Sequence, residues 1–413
     1  MTKPLKIVII GNGFGGIYTL KNLHKFFHNN KKVELVLVGE KNYFLFTPLL
    51  HEVATGGINP ANIIEPIRKV LGCCLDKFYL GKAETINTKN RTVKVENDFV
   101  SYDYLVLAGG AKTNFYNIPG AEQYSFPLKS IDDAIKIKNH CITQMESASH
   151  MEDREKRKEM LRFVVVGGGP TGVELVAELE ELVKETFSHY YSKEVIEDVS
   201  IVLVQRGEEL VPQFGPKARA KSLETLKKKG IEVLLNTAVK EVGASYVIVN
   251  DGQKILTETV VWVAGIKPAE MKFDEPVSMS PDGRLVVNEC LQLENQKEIF
   301  AIGDIALFKQ ENVPLPALAQ VAEKESATVA KNIKLLIENK KPKKFVYKNS
   351  GNLMSLGQWK AVGQIANFTF TGHITWFIWR TVYLSKLISF RKKVRVAVDW
   401  TMNLVSPRDI SQL

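Results

Sequence analysis

Two glycine-rich segments, Gly11-Asn12-Gly13-Phe14-Gly15-Gly16 and Gly167-Gly168-Gly169-Pro170-Thr171-Gly172, have the residue types and spacing to grip a phosphate. The first glycine of such a turn permits a tight bend, the second lets backbone approach an anion, and the third lets the next helix pack closely. The unpaired N–H groups that open the helix then face the anion. One such turn is a weak signal. Two, each set between an apolar strand and an amphipathic helix, point to a pair of dinucleotide sites. Each unit then calls for a ribose-reading carboxylate at the end of its second strand. Glu40 stands there in the first unit, whereas in the second the strand Ile201-Val202-Leu203-Val204 runs into Gln205-Arg206. An amide beside a guanidinium either hydrogen-bonds a plain ribose or accommodates a 2′-phosphate. The sequence leaves both open.

The elements that must position these turns follow from hydrophobic periodicity. The first unit is expected as a strand at 6–10, a helix to about Phe27 and a strand at 33–38; the second as a strand at 163–166, a helix to about Thr186 and a strand at 200–204. A charged surface helix is expected near 151–160. The apolar run Glu298-Ile299-Phe300-Ala301-Ile302 ends in Gly303-Asp304 and returns to the first unit, followed by a helix over about 318–337. A basic linker at 340–344, short strands at 353–356 and 361–365, and amphipathic segments at 374–390 and 394–405 complete the chain. The fold class is therefore α/β, with two Rossmann-like dinucleotide-binding domains and a C-terminal segment of amphipathic helices suited to a membrane surface.

Composition narrows the class. The chain has 413 residues, with 55 Lys+Arg against 46 Asp+Glu. Much of the excess sits in the tail, in Arg380, Lys386, Arg391, Lys392, Lys393, Arg395 and Arg408. A terminal basic cluster points to anionic lipid before nucleic acid, and no nucleic-acid partner is expected. Cys73, Cys74, Cys141 and Cys290 form no CxxC pair, so neither a disulfide framework nor a metal site is expected. The vicinal pair reads as core. Met1 leads almost directly into the first strand, leaving no room for a leader, and no apolar run is long enough to span a bilayer.

With both units in view, the chain resembles the type II, non-proton-pumping NADH:quinone oxidoreductases among the flavoproteins with two dinucleotide-binding domains. The resemblance rests on Asn42-Tyr43-Phe44-Leu45-Phe46-Thr47-Pro48-Leu49-Leu50, Val261-Trp262-Val263-Ala264-Gly265, Ala301-Ile302-Gly303-Asp304 and Ala319-Gln320-Val321-Ala322. Its most specific part is the tail, from Trp379 to Lys386, Asp399-Trp400 and Arg408-Asp409-Ile410. It implies an FAD domain at 1–120 and 265–338, an NAD(P)H domain at 121–264 and a tail at 339–413. Gly11, Gly13, Phe14, Gly15, Gly16, Glu40, Ala83, Ala108, Gly109, Gly303 and Asp304 would hold FAD, with Thr47 and Pro48 near its ring. Gly167, Gly169, Pro170, Thr171, Gly172, Gln205, Arg206, Ala264 and Gly265 would hold NADH, NADPH remaining open. Glu174 matches a family glutamate near nicotinamide and flavin and is the candidate proton relay. Ala319 and Gln320 would border the quinone pocket.

Two departures stand out. Lys324 replaces the second Gln of the family's Ala-Gln-x-Ala-x-Gln, which makes it a candidate donor to a quinone carbonyl. Ala108-Gly109-Gly110 replaces Ala-Thr-Gly. The segment 44–53 lacks the cysteine pair of the disulfide reductases. Competing readings are a soluble reductase of a ferredoxin or rubredoxin, and a redox-switched binding protein like apoptosis-inducing factor.

In the tail, Trp376, Trp379, Tyr383, Leu387 and Phe390 recur at helical spacing beside a basic flank. Such a stripe is expected to enter the headgroup layer of an anionic membrane through residues 374–405. The alternative is packing on the protein's own core or on a second subunit, and a homodimer is compatible with the sequence. The resulting expectation is a peripheral enzyme on the cytoplasmic face of the cell membrane.

Overall fold

The structure is a computed structural model that describes residues 3–71, 75–250 and 252–412. The cysteine pair at 73–74 lies outside the described residues. In chain order, the parallel strands that matter are β1 (Leu5–Ile10), β2 (Val33–Gly39), β3 (Lys77–Leu80), β4 (Tyr104–Leu107), β5 (Arg162–Val166), β6 (Ser200–Val204), β7 (Glu232–Leu234), β8 (Thr259–Trp262) and β9 (Gln296–Ala301). The helices are α1 (Phe14–Phe27), α2 (Leu50–Ala54), α3 (Pro170–Glu181), α4 (Ala319–Ile337), α5 (His373–Lys386) and α6 (Phe390–Met402).

The chain divides into two compact units: Met1–Leu45, Ile64–Lys112 and Ile266–Asn349 form one, and Phe46–Ile63, Thr113–Gly265 and Ser350–Leu413 the other. In the first unit the main sheet runs β9-β4-β1-β2-β3, with the short strand Gln292–Leu293 beside β9. In the second it runs β8-β5-β6-β7, with Phe126–Pro127 beside β8. The order β4-β1-β2-β3 repeats as β8-β5-β6-β7, parallel throughout. Ile7, Val8 and Ile9 are inaccessible to solvent, as are Val164 and Val165. A parallel sheet covered on both faces reads in this way as an unbroken apolar run.

The expected bounds at 120, 264 and 338 differ from these units in one respect that matters for the chemistry. Residues 350–413 belong to the second unit, and so does 46–63. The tail brings its own antiparallel sheet, Asn352–Ser355, Ala361–Ile365 and Phe368–Thr371, followed by α5 and α6. Helix α3 passes into a π-helical turn over Leu182–Phe187, so the expected single helix to about Thr186 changes hydrogen-bond register partway.

The aromatic stripe of the tail is where sequence and structure part. Trp376, Trp379 and Leu387 are buried, and Tyr383 packs 4.6 Å from Trp379. Only Phe390 of that stripe projects, at 79% exposure. The stripe is the inward face of α5 because indole and leucine side chains gain most from leaving water. The outward face is a different set: Ile374, Phe377 and Ile378 on α5, and Phe390, Val394, Val398 and Met402 on α6, with Val405 just beyond. Lys386, Arg391 and Arg395 are exposed among them.

Candidate active site

In the first unit the glycine turn links β1 to α1. Gly11 has φ 106°, and a Cβ there would lie 2.1 Å from the Ala108 carbonyl oxygen. A Cβ on Gly16 would lie 1.8 Å from the Gly11 carbonyl oxygen, whereas one on Gly13 would meet nothing within 4 Å. The packed glycines fix the turn and the open one leaves room in front of the helix. Gly13 caps α1 without a side-chain acceptor, and the first turn carries no acid. The positive dipole end of the helix therefore faces this space, which suits an anion.

Sheet order brings the ends of β1, β4 and β9 side by side, and with them the turn, Ala108-Gly109 and Gly303-Asp304. A Cβ on Gly15 would touch Ala108 at 3.2 Å and Ile302 at 3.3 Å, and Phe14 packs edge-on to Phe44 with ring centroids 5.1 Å apart. Glu40 is exposed just past β2. Ala83 lies apart from this group, on the strand Ala83–Asn87 of a separate, mixed sheet. Gly303 donates its N–H to buried Glu325 at 2.6 Å, so Glu325 holds the Gly303-Asp304 turn. Burial, with Asp304 adding to it, pushes Glu325 up to about 7. Sequence reasoning passed over Glu325; a carboxylate three residues after Ala322 on the apolar face of α4 was the available signal. Ala319 and Gln320 open α4 half-buried. Lys324 donates to the Lys348 carbonyl, and its ammonium lies 5.2 Å from the Tyr347 ring centroid. The expected quinone donor is thus engaged by its own neighbouring segment.

The second turn repeats the backbone hydrogen bond that ties the first to its neighbouring strand. Gly11 donates to the Val38 carbonyl at 2.8 Å, and Gly167 donates to the Val204 carbonyl at 2.9 Å. A Cβ on Gly172 would lie 1.9 Å from the Gly167 oxygen, and one on Gly169 would meet nothing within 4 Å. Gly169 caps α3 without a side-chain acceptor, with Pro170 next and Thr171 exposed. A Cβ on Gly167 would crowd Ala264, and one on Gly265 would strike the Tyr116 hydroxyl at 2.0 Å.

This pairing also settles the register. If Val204 matches Val38, then Gln205 matches Gly39 and Arg206 matches Glu40. Asn12 fills the space beside Gly39, where a Cβ would lie 2.8 Å from its side-chain oxygen. In the second unit the roles are exchanged: Gln205 accepts from Gly168 N at 2.9 Å and donates to the Glu209 carbonyl at 3.2 Å. Gln205 therefore braces the loop, and exposed Arg206 stands where Glu40 stands in the first unit.

Beyond the turn, α3 carries Glu174, Glu178 and Glu181 one turn apart on a face that is buried. Glu174 accepts Ser355 N at 3.0 Å and lies 3.8 Å from His51 Nδ1. Burial holds its carboxyl well above the usual range, with Glu52 and Glu178 adding to the effect. Glu178 is held below that range despite burial, because Arg408 pairs with it at 2.7 Å. Arg408 also reaches Glu181 at 3.4 Å and donates to the Thr55 hydroxyl at 3.0 Å. Lys229 bonds Glu180 at 2.6 Å and Glu181 at 3.0 Å. Thr47 and Pro48 lie in the 3-10 turn before α2, which supplies His51 and Glu52. Glu174 was singled out from sequence by the family resemblance. Its partners His51 and Ser355 were not, because they come from distant segments.

Residues 5–326 match the pyridine nucleotide-disulphide oxidoreductase family, and residues 349–409 match the NDH2 C-terminal domain. The chain is 32% identical to a probable NADH dehydrogenase of Dictyostelium discoideum, covering 98% of this chain and 91% of the relative. It is 29% identical to a type II NADH:quinone oxidoreductase of Mycobacterium tuberculosis, covering 98% and 89%. The fold is that of an NDH2 from Plasmodium falciparum solved with NADH, at TM-score 0.90 and 24% identity over 99% of this chain and all of that one.

Proposed function

Because the chain belongs to the type II NADH:quinone oxidoreductase family, we propose that it oxidises NADH with FAD as cofactor and reduces a quinone without pumping protons. The observation that carries this is the pair of open, uncapped helix N-termini, one in each unit, joined to a C-terminal domain of the NDH2 type. Bound FAD supplies the chemistry of a two-electron carrier that accepts hydride and returns electrons to quinone. Gly11, Gly13 and Gly16 would cradle its pyrophosphate, with Ala108, Gly109 and Asp304 alongside, and Glu40 would read the ribose. The second cradle receives the nicotinamide dinucleotide. Quinone reduction also takes up protons, and Glu174, whose carboxyl burial holds well above the usual range, is the group suited to deliver one.

Replacing Glu174 with Ala is expected to slow quinone reduction by roughly a hundredfold, the usual scale for losing a proton-transfer group, while FAD stays bound. Steady-state turnover and flavin content check both halves; unchanged turnover removes Glu174 from the mechanism. The reading as a whole is tested by kinetics with NADH and NADPH against menaquinone and ubiquinone analogues. Absence of quinone-dependent NADH oxidation by the FAD-loaded protein would overturn it.

Among the described residues no helix is long and apolar enough to cross a membrane. Attachment is assigned to the outward face of α5 and α6, where exposed Ile374, Phe377, Phe390, Val394 and Val398 lie beside Lys386, Arg391 and Arg395. Apolar side chains enter the acyl boundary while cations meet anionic headgroups, which fits the negative cytoplasmic leaflet. Flotation with anionic vesicles tests this: Phe390→Lys with Val394→Lys should release the enzyme, and retained flotation would argue that the face pairs with a second copy.

A further inference from the structure

Asp399 is the only acidic side chain between Glu338 and Asp409. It stands on α6, whose outward side exposes Val394, Val398, Arg391 and Arg395. A carboxylate on a face that meets anionic headgroups is repelled by them, so its presence there calls for a cation. Part of its role is local. Asp399 Oδ2 accepts the backbone N–H of Asn59 at 3.1 Å and the side-chain amide of buried Asn62 at 2.7 Å, which ties the 3-10 turn Pro60–Asn62 to α6. Both bonds fall on one oxygen, and no hydrogen bond reaches Oδ1 among the described residues.

Between that turn and the helix lies an open hollow of about 320 Å³, walled by Asn59 and Asn62 on one side and by Val394, Arg395, Val398 and Asp399 on the other. All of them belong to the second unit. Arg395 stands one helical turn before Asp399, yet neither is joined in an ion pair among the described residues. An exposed pair at that spacing contributes little, so leaving it unjoined costs little. Lys392, on the same helix, donates to the Ala61 carbonyl beside the hollow. The hollow therefore offers one carboxylate and one guanidinium, with two valines of the outward apolar face. A free phosphate or a simple anionic headgroup would satisfy Arg395 and be repelled by Asp399. A zwitterion with a phosphodiester and a primary ammonium answers both, since the guanidinium matches phosphate and the ammonium donates to carboxylate. A quaternary ammonium has no N–H to donate and is recognised by aromatic faces, whereas no aromatic side chain lines this hollow among the described residues. The volume lies at the small end of ligand sites, roughly 300–1,000 Å³, which suits a headgroup better than a whole amphiphile.

We propose that this hollow binds the headgroup of a phosphatidylethanolamine-type lipid. Asp399 receives the ammonium, Arg395 receives the phosphate, and Val394 and Val398 meet the first methylenes of the acyl chains. The inference rests on the membrane attachment of α5 and α6 assigned above and adds a named lipid to it. Attachment through apolar and basic side chains alone does not distinguish two lipids of equal net charge. A site holding both charges of one headgroup does.

The test compares flotation of the full-length, FAD-loaded protein with two sets of vesicles. One holds phosphatidylcholine with a fixed share of phosphatidylglycerol; in the other, part of the phosphatidylcholine is replaced by phosphatidylethanolamine, so net charge is unchanged. The wild type should partition roughly tenfold more tightly onto the second set, the scale of one charge-assisted hydrogen bond. Asp399→Asn keeps an oxygen that can accept from Asn59 and Asn62 while losing the charge, and should bind both sets alike. Arg395→Gln removes an exposed side chain with no ion pair to lose, and should also erase the preference. Lys386→Gln, outside the hollow, should weaken binding to both sets and keep the preference. Equal partition of the wild type overturns the site, and so does a preference that survives either Asp399→Asn or Arg395→Gln. If the wild type floats with neither set, the membrane reading falls instead, and soluble dihexanoyl phosphatidylethanolamine then judges the hollow by calorimetry. Saturable heat that is lost in Asp399→Asn, and not given by the phosphatidylcholine counterpart, supports the site; no saturable heat overturns it.

Discussion

The two glycine turns share their strand order, the backbone bond to the neighbouring strand and their open second glycine, yet the helices that leave them differ in what they carry. Helix α1 carries Tyr18, Asn22 and exposed Phe26 after its turn and packs on α4, where Asn22 donates to Ser326 at 3.3 Å. Helix α3 places Glu174 and Glu178 at the positions of Tyr18 and Asn22, and buries both. One helix therefore only presents its N-terminus to a dinucleotide. The other does so and also runs a row of acids through the interior of its unit. A repeat copies the backbone device; what the following side chains meet decides whether chemistry is added.

The largest effect expected from breaking this comparison lies at the turns themselves. Gly16→Val drives a side chain into backbone and should leave the protein without flavin, read from its visible absorbance. Gly172→Val should retain FAD but weaken NADH by roughly a hundredfold or more, since each lost charge-assisted hydrogen bond removes about 1.5–3 kcal/mol. Loss of flavin in both variants would show that the two cradles are not separate sites. Next in size is the matched pair within the helices. Glu178→Ala strands the Arg408 charge and should cost about 3–5 kcal/mol, whereas Asn22→Ala should cost about 1 kcal/mol. Urea denaturation of both variants checks the contrast, which equal losses would erase.

A pH-dependent effect follows from Glu52. Its folded-state value of about 8 lies above the ordinary 4.5, so between these pH values the native state holds a proton that the unfolded chain releases. Stability from this group is full below about pH 4.5 and falls as pH rises through about 8. Relative to wild type, Glu52→Gln should therefore gain stability across that window, and a constant difference across the window would count against a protonated Glu52. The smallest effect concerns Arg206, which occupies the place of Glu40. Arg206→Glu should shift preference toward NADH over NADPH by roughly tenfold, about 1.4 kcal/mol; an unmoved ratio of catalytic efficiencies would take Arg206 off the ribose.

Gly11, Gly16, Gly167 and Gly172 were legible in the sequence because their requirement is local: a bend, a close approach and a short helix start are specified within a few residues. Strand and helix bounds were legible for the same reason, to within a residue or two for β1, β6 and α4. At the strand end of the second unit the sequence offered Gln205 and Arg206 together and left the 2′-position open. Spacing alone cannot tell a side chain that braces its own loop, as Gln205 does, from one that faces a ligand. The tail was misread in its facing, though not in its helices. A stripe of Trp376, Trp379 and Leu387 satisfies the period of a membrane helix and of a core helix equally, and only the neighbouring elements show which side is wet.

The sequence by itself determined two dinucleotide cradles and the family, because each is written in contiguous residues whose chemistry does not depend on distant partners; Glu174 it marked by resemblance alone. Tertiary structure alone decided that His51 and Glu52 on one short helix, Glu174 and Glu178 on another, and Arg408 near the end of the chain share one buried space. Whether a carboxyl there is charged or holds a proton depends on which cations reach it in low dielectric, and no local pattern records that.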